Sequence, residues 1–123
     1  MKLQNQVKEF HEKFGLKVND NPVIPDNDLI KLRINLIREE VAEFENELNT
    51  NSIDLCAVAK ELADILYVVV GTAVSFGIDL EPVLDEVHRS NMSKVWEDGT
   101  IKRREDGKIL KPPTYSPAKI KLS

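Results

Sequence analysis

Glu61-Leu62-Ala63-Asp64-Ile65-Leu66-Tyr67-Val68-Val69-Val70-Gly71-Thr72-Ala73 is the stretch on which the reading of the fold turns. Local propensity at Val68-Val69-Val70 favours a strand. The apolar segment around it, about residues 54–76, is too long for one strand and reads as a helix that Gly77 ends. Between residues 62 and 73 the sole charge is Asp64, with apolar residues on every side, and a helix apolar all round is a buried helix. Glu61 and Asp64, three residues apart, share one face. Ionised carboxylates are almost never buried unless paired or metal-bound, so these two acids demand a partner.

The preceding helix starts at an Asp26 or Asn27 N-cap and runs to about Leu48. Ile30, Ile34, Ile37, Val41, Phe44 and Leu48, alternating four and three apart, read as a core-facing seam. Leu29, Leu36, Glu40, Glu43 and Glu47 gather on an adjoining face that begins apolar and turns acidic. The turn at 49–52 makes the two helices an antiparallel hairpin, which brings Glu40 and Glu43 toward Glu61 and Asp64. Four converging carboxylates suit a hard cation, Mg²⁺ or Mn²⁺, rather than zinc, and charge alone leaves room for two ions. Two plainer readings stay open: a solvated acidic face, or ion pairs with Arg33 or Arg38, since Lys60 is expected to point elsewhere.

Val7, Phe10, His11 and Phe14 recur at helical spacing, so a first helix spans 3–14, with His11 at the core or an interface. Residues 16–27 form a loop marked by Pro22 and Pro25. Asp79 caps a fourth helix that carries Pro82 in its first turn and fades near Val95–Trp96. Its inward stripe Leu80, Leu84, Val87 continues at the same step to Asn91 and Lys94, which serve either as phosphate contacts or as ordinary last-turn polar residues. His88 reads as a surface residue, and neither Ser90 nor Ser93 has a base partner for nucleophilic work. Asp106-Gly107 between two short arms signals a hairpin, and Pro112, Pro113 and Pro117 keep the tail extended.

The expected architecture is thus all-α: an antiparallel bundle of about four helices in a single domain, with a helical core over 1–98 and a short C-terminal β-hairpin and extended tail over 99–123. A net charge of −4 argues against long nucleic acid as a partner. The lone Cys56, in an apolar run, reads as a buried inert thiol. The first residues lack a signal-peptide apolar region, and the longest apolar stretch, 65–73, is far short of a membrane span. The expectation is a soluble protein of the reducing cytoplasm, without membrane partners.

Glu40-Val41-Ala42-Glu43 followed by Glu61-Leu62-Ala63-Asp64, with 17 residues between the pairs, resembles the ExxE…ExxD signature of the all-alpha NTP pyrophosphatase superfamily, the MazG-like and phosphoribosyl-ATP pyrophosphohydrolase-like group. Gly77-Ile78-Asp79-Leu80 and Val87-His88-Arg89-Ser90-Asn91-Met92-Ser93-Lys94 extend the resemblance over roughly residues 5–118. It implies Mg²⁺ (or Mn²⁺) ligands at Glu40, Glu43, Glu61 and Asp64, a water-orienting or water-deprotonating acid at Glu39, and phosphate contacts from Asn91 and Lys94. It implies hydrolysis of a (deoxy)nucleoside triphosphate between the α and β phosphates, releasing monophosphate and pyrophosphate. It also implies a homodimer or homotetramer formed through helices. The alternatives are phosphoribosyl-ATP as substrate, which the tail fits less well, and a non-enzymatic helical interaction module. The basic residues Lys102, Arg103, Arg104, Lys108 and Lys111, with Tyr115, lie outside the minimal family core and either close over substrate or form a solvated arm.

Overall fold

The computed structural model describes residues 1–122; Ser123, the last residue of the expected single domain, lies outside the described residues. Among the described residues four helices follow one another: α1 (Lys2–Phe14), α2 (Asn27–Leu48), α3 (Leu55–Phe76) and α4 (Leu80–Met92). No strand forms among the described residues. The chain divides into two compact units, Met1–Leu80 and Glu81–Leu122.

In the first unit, capping side chains set the starts of α2 and α3. Asp26 accepts from the Leu29 N–H at 2.9 Å, and Asp54 accepts from the Cys56 and Ala57 N–H groups, so each satisfies donors that the first turn leaves free. α3 ends at Gly77, whose φ of 71° lies in the left-handed region. A Cβ there would also run into the Asn21 carbonyl, which makes glycine obligatory twice over. α3 is the central element, packed by both α1 and α2. Val7 of α1 closes on Val70 and Val74 of α3, with Leu3, Val18, Tyr67 and Leu80 at the margin. The loop before α2 is fastened to the end of α3: Asn19 donates through Nδ2 to Ser75 O at 2.7 Å, and Ser75 Oγ donates to Lys17 O at 2.9 Å. Gln4 of α1 fastens the segment that follows α3, donating to Ile78 O and accepting from the Leu80 N–H.

Three expectations about helix faces are corrected. α3 is not buried all round, because Leu55, Leu62, Leu66 and Val69 are exposed. On α2 the residues of the expected seam split: Ile34, Val41 and Leu48 are exposed, whereas Arg33 is buried and Ile37, Glu40 and Phe44 are half-buried. On α4, Leu84 and Val87 are exposed, and Ser90 is the buried residue. On α3 two apolar stripes compete for the interior and packing chooses between them, whereas on α2 and α4 the buried positions are the polar residues Arg33 and Ser90.

In the second unit, α4 stops at Met92 rather than near Val95–Trp96. Ser93 Oγ donates to Ser90 O at 2.6 Å and accepts from the Ser116 N–H at 2.9 Å, so its hydroxyl takes the place of the next helical turn. The expected hairpin shrinks to one isolated antiparallel bridge, Arg103 with Ile109, around the turn at Gly107. The tail is no free arm. Tyr115 accepts from Ser90 Oγ, Arg89 donates to Ser116 Oγ and Pro117 O, and the Lys119 N–H donates to Glu86 Oε2 at 2.8 Å. Arg89 also pairs with Glu86 at 2.6 Å. Together with that backbone bond, the Arg89 partnership holds the Glu86 carboxyl down at about 2. Lys102 stands over the Trp96 ring, 4.3 Å from its centroid.

Candidate metal centre

Antiparallel packing of α2 on α3 sets the end of one helix beside the beginning of the other. Glu40, Glu43, Glu61 and Asp64 consequently converge, each offering a carboxylate oxygen within 4.8 Å of the others. Their burial is graded: Glu61 is 7% exposed, Glu40 and Asp64 are half-buried, and Glu43 lies at the open side. Glu40 Oε2 and Glu61 Oε2 are buried without any hydrogen-bond partner. A buried carboxylate oxygen that receives no donor carries its full desolvation cost.

The electrostatics follow from this crowding. Burial raises the Glu40 carboxyl above the ordinary carboxylate range, and Glu43, Asp64 and Glu61 push it further in the same direction. Burial likewise raises Glu61; the Lys60 charge opposes that rise, while Glu43 and Asp64 add to it. Lys60 corrects the expectation that it points elsewhere. Its Nζ lies 2.9 Å from Asp64 Oδ2 and 3.6 Å from Glu61 Oε1. The signal was present in the spacing, since residues four apart on a helix are neighbours. The hydrogen bond to Asp64, with the acidic surroundings, raises the Lys60 pKa.

Arg33 does not neutralise the acids. It is 5% exposed and donates to Thr72 Oγ1 at 3.2 Å and Val68 O at 2.8 Å, further along α3. Gly71 provides the space, as a Cβ there would strike both the guanidinium and the His11 ring. His11 is 2% exposed and places Nδ1 3.0 Å from Lys17 O, in keeping with a core histidine. Burial holds its pKa down.

Glu39 is exposed and stands outside the group of four. Asn91 and Lys94 belong to the second unit, where they line a cavity with Met92, Val95, Ile101 and Ile109. A separate cavity beside α1, lined by Gln4, Lys8, Asn19 and Asp20, includes none of the four acids. Cys56 is exposed, contrary to the buried thiol expected; its position in the first turn of α3 turns it away from the packed faces.

The donor set fits a divalent metal. All four potential ligands are carboxylates, which suits hard cations, and two of their oxygens are buried with no donor from the protein. One ammonium against four carboxylates leaves most of the negative charge uncompensated.

An all-helical unit with such an acidic centre defines a class, the MazG-like all-alpha NTP pyrophosphatases, and comparison with known proteins agrees. A family model described as phosphoribosyl-ATP pyrophosphohydrolase matches residues 7–91, and the chain belongs to that family, part of the same superfamily. Its members are metal-dependent hydrolases acting on phosphoric anhydrides. The matched span reaches from α1 into α4 and takes in all four acids and Lys60. The chain is also similar to an uncharacterized protein of Acanthamoeba polyphaga mimivirus, 37% identical over 79 residues. That alignment covers 61% of this chain and 31% of the viral protein, so the chain matches about a third of its relative's length. No single helix among the described residues is long and apolar enough to cross a membrane.

Proposed function

We propose that the chain is a Mg²⁺-dependent pyrophosphohydrolase that cleaves the α–β phosphate bond of a (deoxy)nucleoside triphosphate to monophosphate and pyrophosphate, with Mn²⁺ able to replace Mg²⁺. The observation that carries the reading is the convergence of Glu40, Glu43, Glu61 and Asp64 with buried, donor-free oxygens on Glu40 and Glu61. In this reading the four acids hold the metal, which when bound gathers phosphate oxygens, offsets developing negative charge and lowers the pKa of a water. Glu39, adjacent in sequence but exposed, orients that water or takes its proton. Asn91 contributes an amide donor and Lys94 an ammonium toward the phosphates.

Self-association belongs to the same proposal. α2 leaves Ile34, Val41 and Leu48 uncovered, and α3 leaves Leu55, Leu62, Leu66 and Val69. Apolar lines of this kind on neighbouring helices favour a homodimer or homotetramer built through helices. Residues 1–123 act in this reading as one domain. The exposed free thiol of Cys56 fits the reducing cytoplasm. The net charge of −4 disfavours long nucleic acid, and nothing in the proposal requires a membrane.

A panel of nucleoside and deoxynucleoside triphosphates, assayed for pyrophosphate with Mg²⁺ and with chelator, tests the reading. Pyrophosphate and monophosphate should appear together and only with metal. Release of inorganic phosphate and a diphosphate would refute the bond assignment. The family description favours a second substrate, phosphoribosyl-ATP, and its inclusion in the panel decides between the two.

A further inference from the structure

We propose that Lys60 is the resident counter-ion of the acidic centre and that an entering divalent cation must displace it. The proposal rests on the reading of the four acids as a metal centre, and it concerns how those acids are held before a cation enters. Lys60 lies one turn before Asp64 on α3, the arrangement in which a lysine side chain reaches a carboxylate on its own helix. Its Nζ takes Asp64 Oδ2 at 2.9 Å and stands 3.6 Å from Glu61 Oε1. Both contacts are to acids of the converging group, so the ammonium holds part of the position that a shared cation needs.

The occupation is partial by construction. Lys60 faces Oε1 of Glu61 and leaves the buried Oε2 without a donor; Oε2 of Glu40 is left in the same state. An ammonium has a single charge and three donors, too little for four carboxylates. Its side chain is 69% exposed, so it leaves the acids for water along its own flexible stem, without unpacking the helix. A rigid bidentate arginine would lock the acids; lysine tempers their repulsion and yields. The consequence is a centre that folds without metal and binds it less tightly than four free carboxylates would.

The test is Mn²⁺ titration of the full chain by calorimetry at fixed pH and ionic strength, comparing the natural protein with Lys60→Met and Lys31→Met. An exposed ion pair is worth up to about 1 kcal/mol, or roughly fivefold in an equilibrium constant, and the Mn²⁺ Kd of Lys60→Met should fall by about that factor. Lys31→Met removes the same charge from α2 away from the acids and should leave Kd unchanged. Titration with diamagnetic Mg²⁺ should move the Lys60 side-chain ammonium resonance of the natural protein toward that of a free lysine. Equal or weaker binding by Lys60→Met, or an equal gain in both variants, overturns the counter-ion role while leaving the metal centre standing. Absence of Mn²⁺ binding in all three proteins overturns the centre itself, and the counter-ion with it.

Discussion

Arg33 of α2 donates through Nη2 to the Val68 carbonyl of α3 at 2.8 Å, so a buried guanidinium crosses between the helices with no carboxylate among the described residues to meet it. The Val68 oxygen also accepts from Thr72 Oγ1 at 2.9 Å, and Thr72 Oγ1 accepts from Arg33 Nε. Burial depresses the Arg33 pKa, which marks what the arrangement costs. Gly71 makes room for it.

Gly71→Ala should therefore destabilise the chain, although alanine is the better helix former by about 1 kcal/mol. The new Cβ would push the guanidinium off its two acceptors and crowd the His11 ring. A net loss of about 1–2 kcal/mol is expected from urea unfolding. In an Arg33→Met background the same substitution should cost less, since part of the crowding is gone, and strict additivity of the pair would contradict the packing described.

Glu40→Ala and Asp64→Asn should each abolish pyrophosphate release while the far-ultraviolet circular dichroism stays that of the natural protein. Glu39→Gln should behave differently: kcat falls about 10²- to 10⁴-fold, the usual worth of a general base, with Mn²⁺ affinity retained. Loss of metal binding in Glu39→Gln would move that residue from water activation to ligation.

Burial raises the Glu40 and Glu61 carboxyl pKa values above the ordinary value of 4.5. The folded chain then holds protons that the unfolded chain has already released, so this contribution to stability declines as pH rises from about 4.5 through the folded values. With chelator present, melting temperature should fall over that window more steeply for the natural chain than for Glu40→Gln/Glu61→Gln. Saturating Mg²⁺ should flatten the natural profile. Parallel profiles in chelator would mean the two carboxyls ionise freely.

Glu86 carries the opposite shift, down to about 2 from 4.5. Its contribution is present in full above 4.5 and is lost as pH falls toward 2. Protection of the Lys119 amide against hydrogen exchange should persist to about pH 3 and vanish below. Glu86→Gln, which loses the charge, should weaken that protection at neutral pH and speed cleavage of the tail by a protease; unchanged protection would show that the tail is held by other contacts.

Leu66→Glu places a charge on the exposed apolar line of α3. It should lower the mass measured by light scattering to that of one chain, with helical content unchanged. A natural chain that already runs as a monomer would contradict the self-association proposed.

The starts of α2 and α3 and the ends of α1 and α3 were legible because caps are local chemistry: Asp26, Asp54, Gly15 and Gly77 act on their own turns, whereas the end of α4 depends on Ser116, a residue far along the chain. The acid pairs were legible for the same reason, as a spacing of three sets each pair on one face and a short turn folds the faces together. Which side of α3 is outside was not, since Leu62 and Leu66 are as apolar as Val70 and Val74, and only packing against α1 separates them. Charge alone makes Arg33 a candidate ion-pair partner of the acids, whereas its acceptors are a carbonyl and a hydroxyl 35 and 39 residues away. The docking of the tail includes a bond from Glu86 to a main-chain N–H at a separation of 33 residues, which side-chain pattern does not encode.

Trp96 is the chain's single tryptophan, and it sits in the second unit with the Lys102 ammonium over its ring and an indole N–H that is buried without an acceptor. Its intrinsic fluorescence is thus a one-site reporter: excitation at the indole band watches the segment after α4 and is blind to the packing of α1 against α3. A chain whose emission shifts before its helicity melts would be loosening at that segment first.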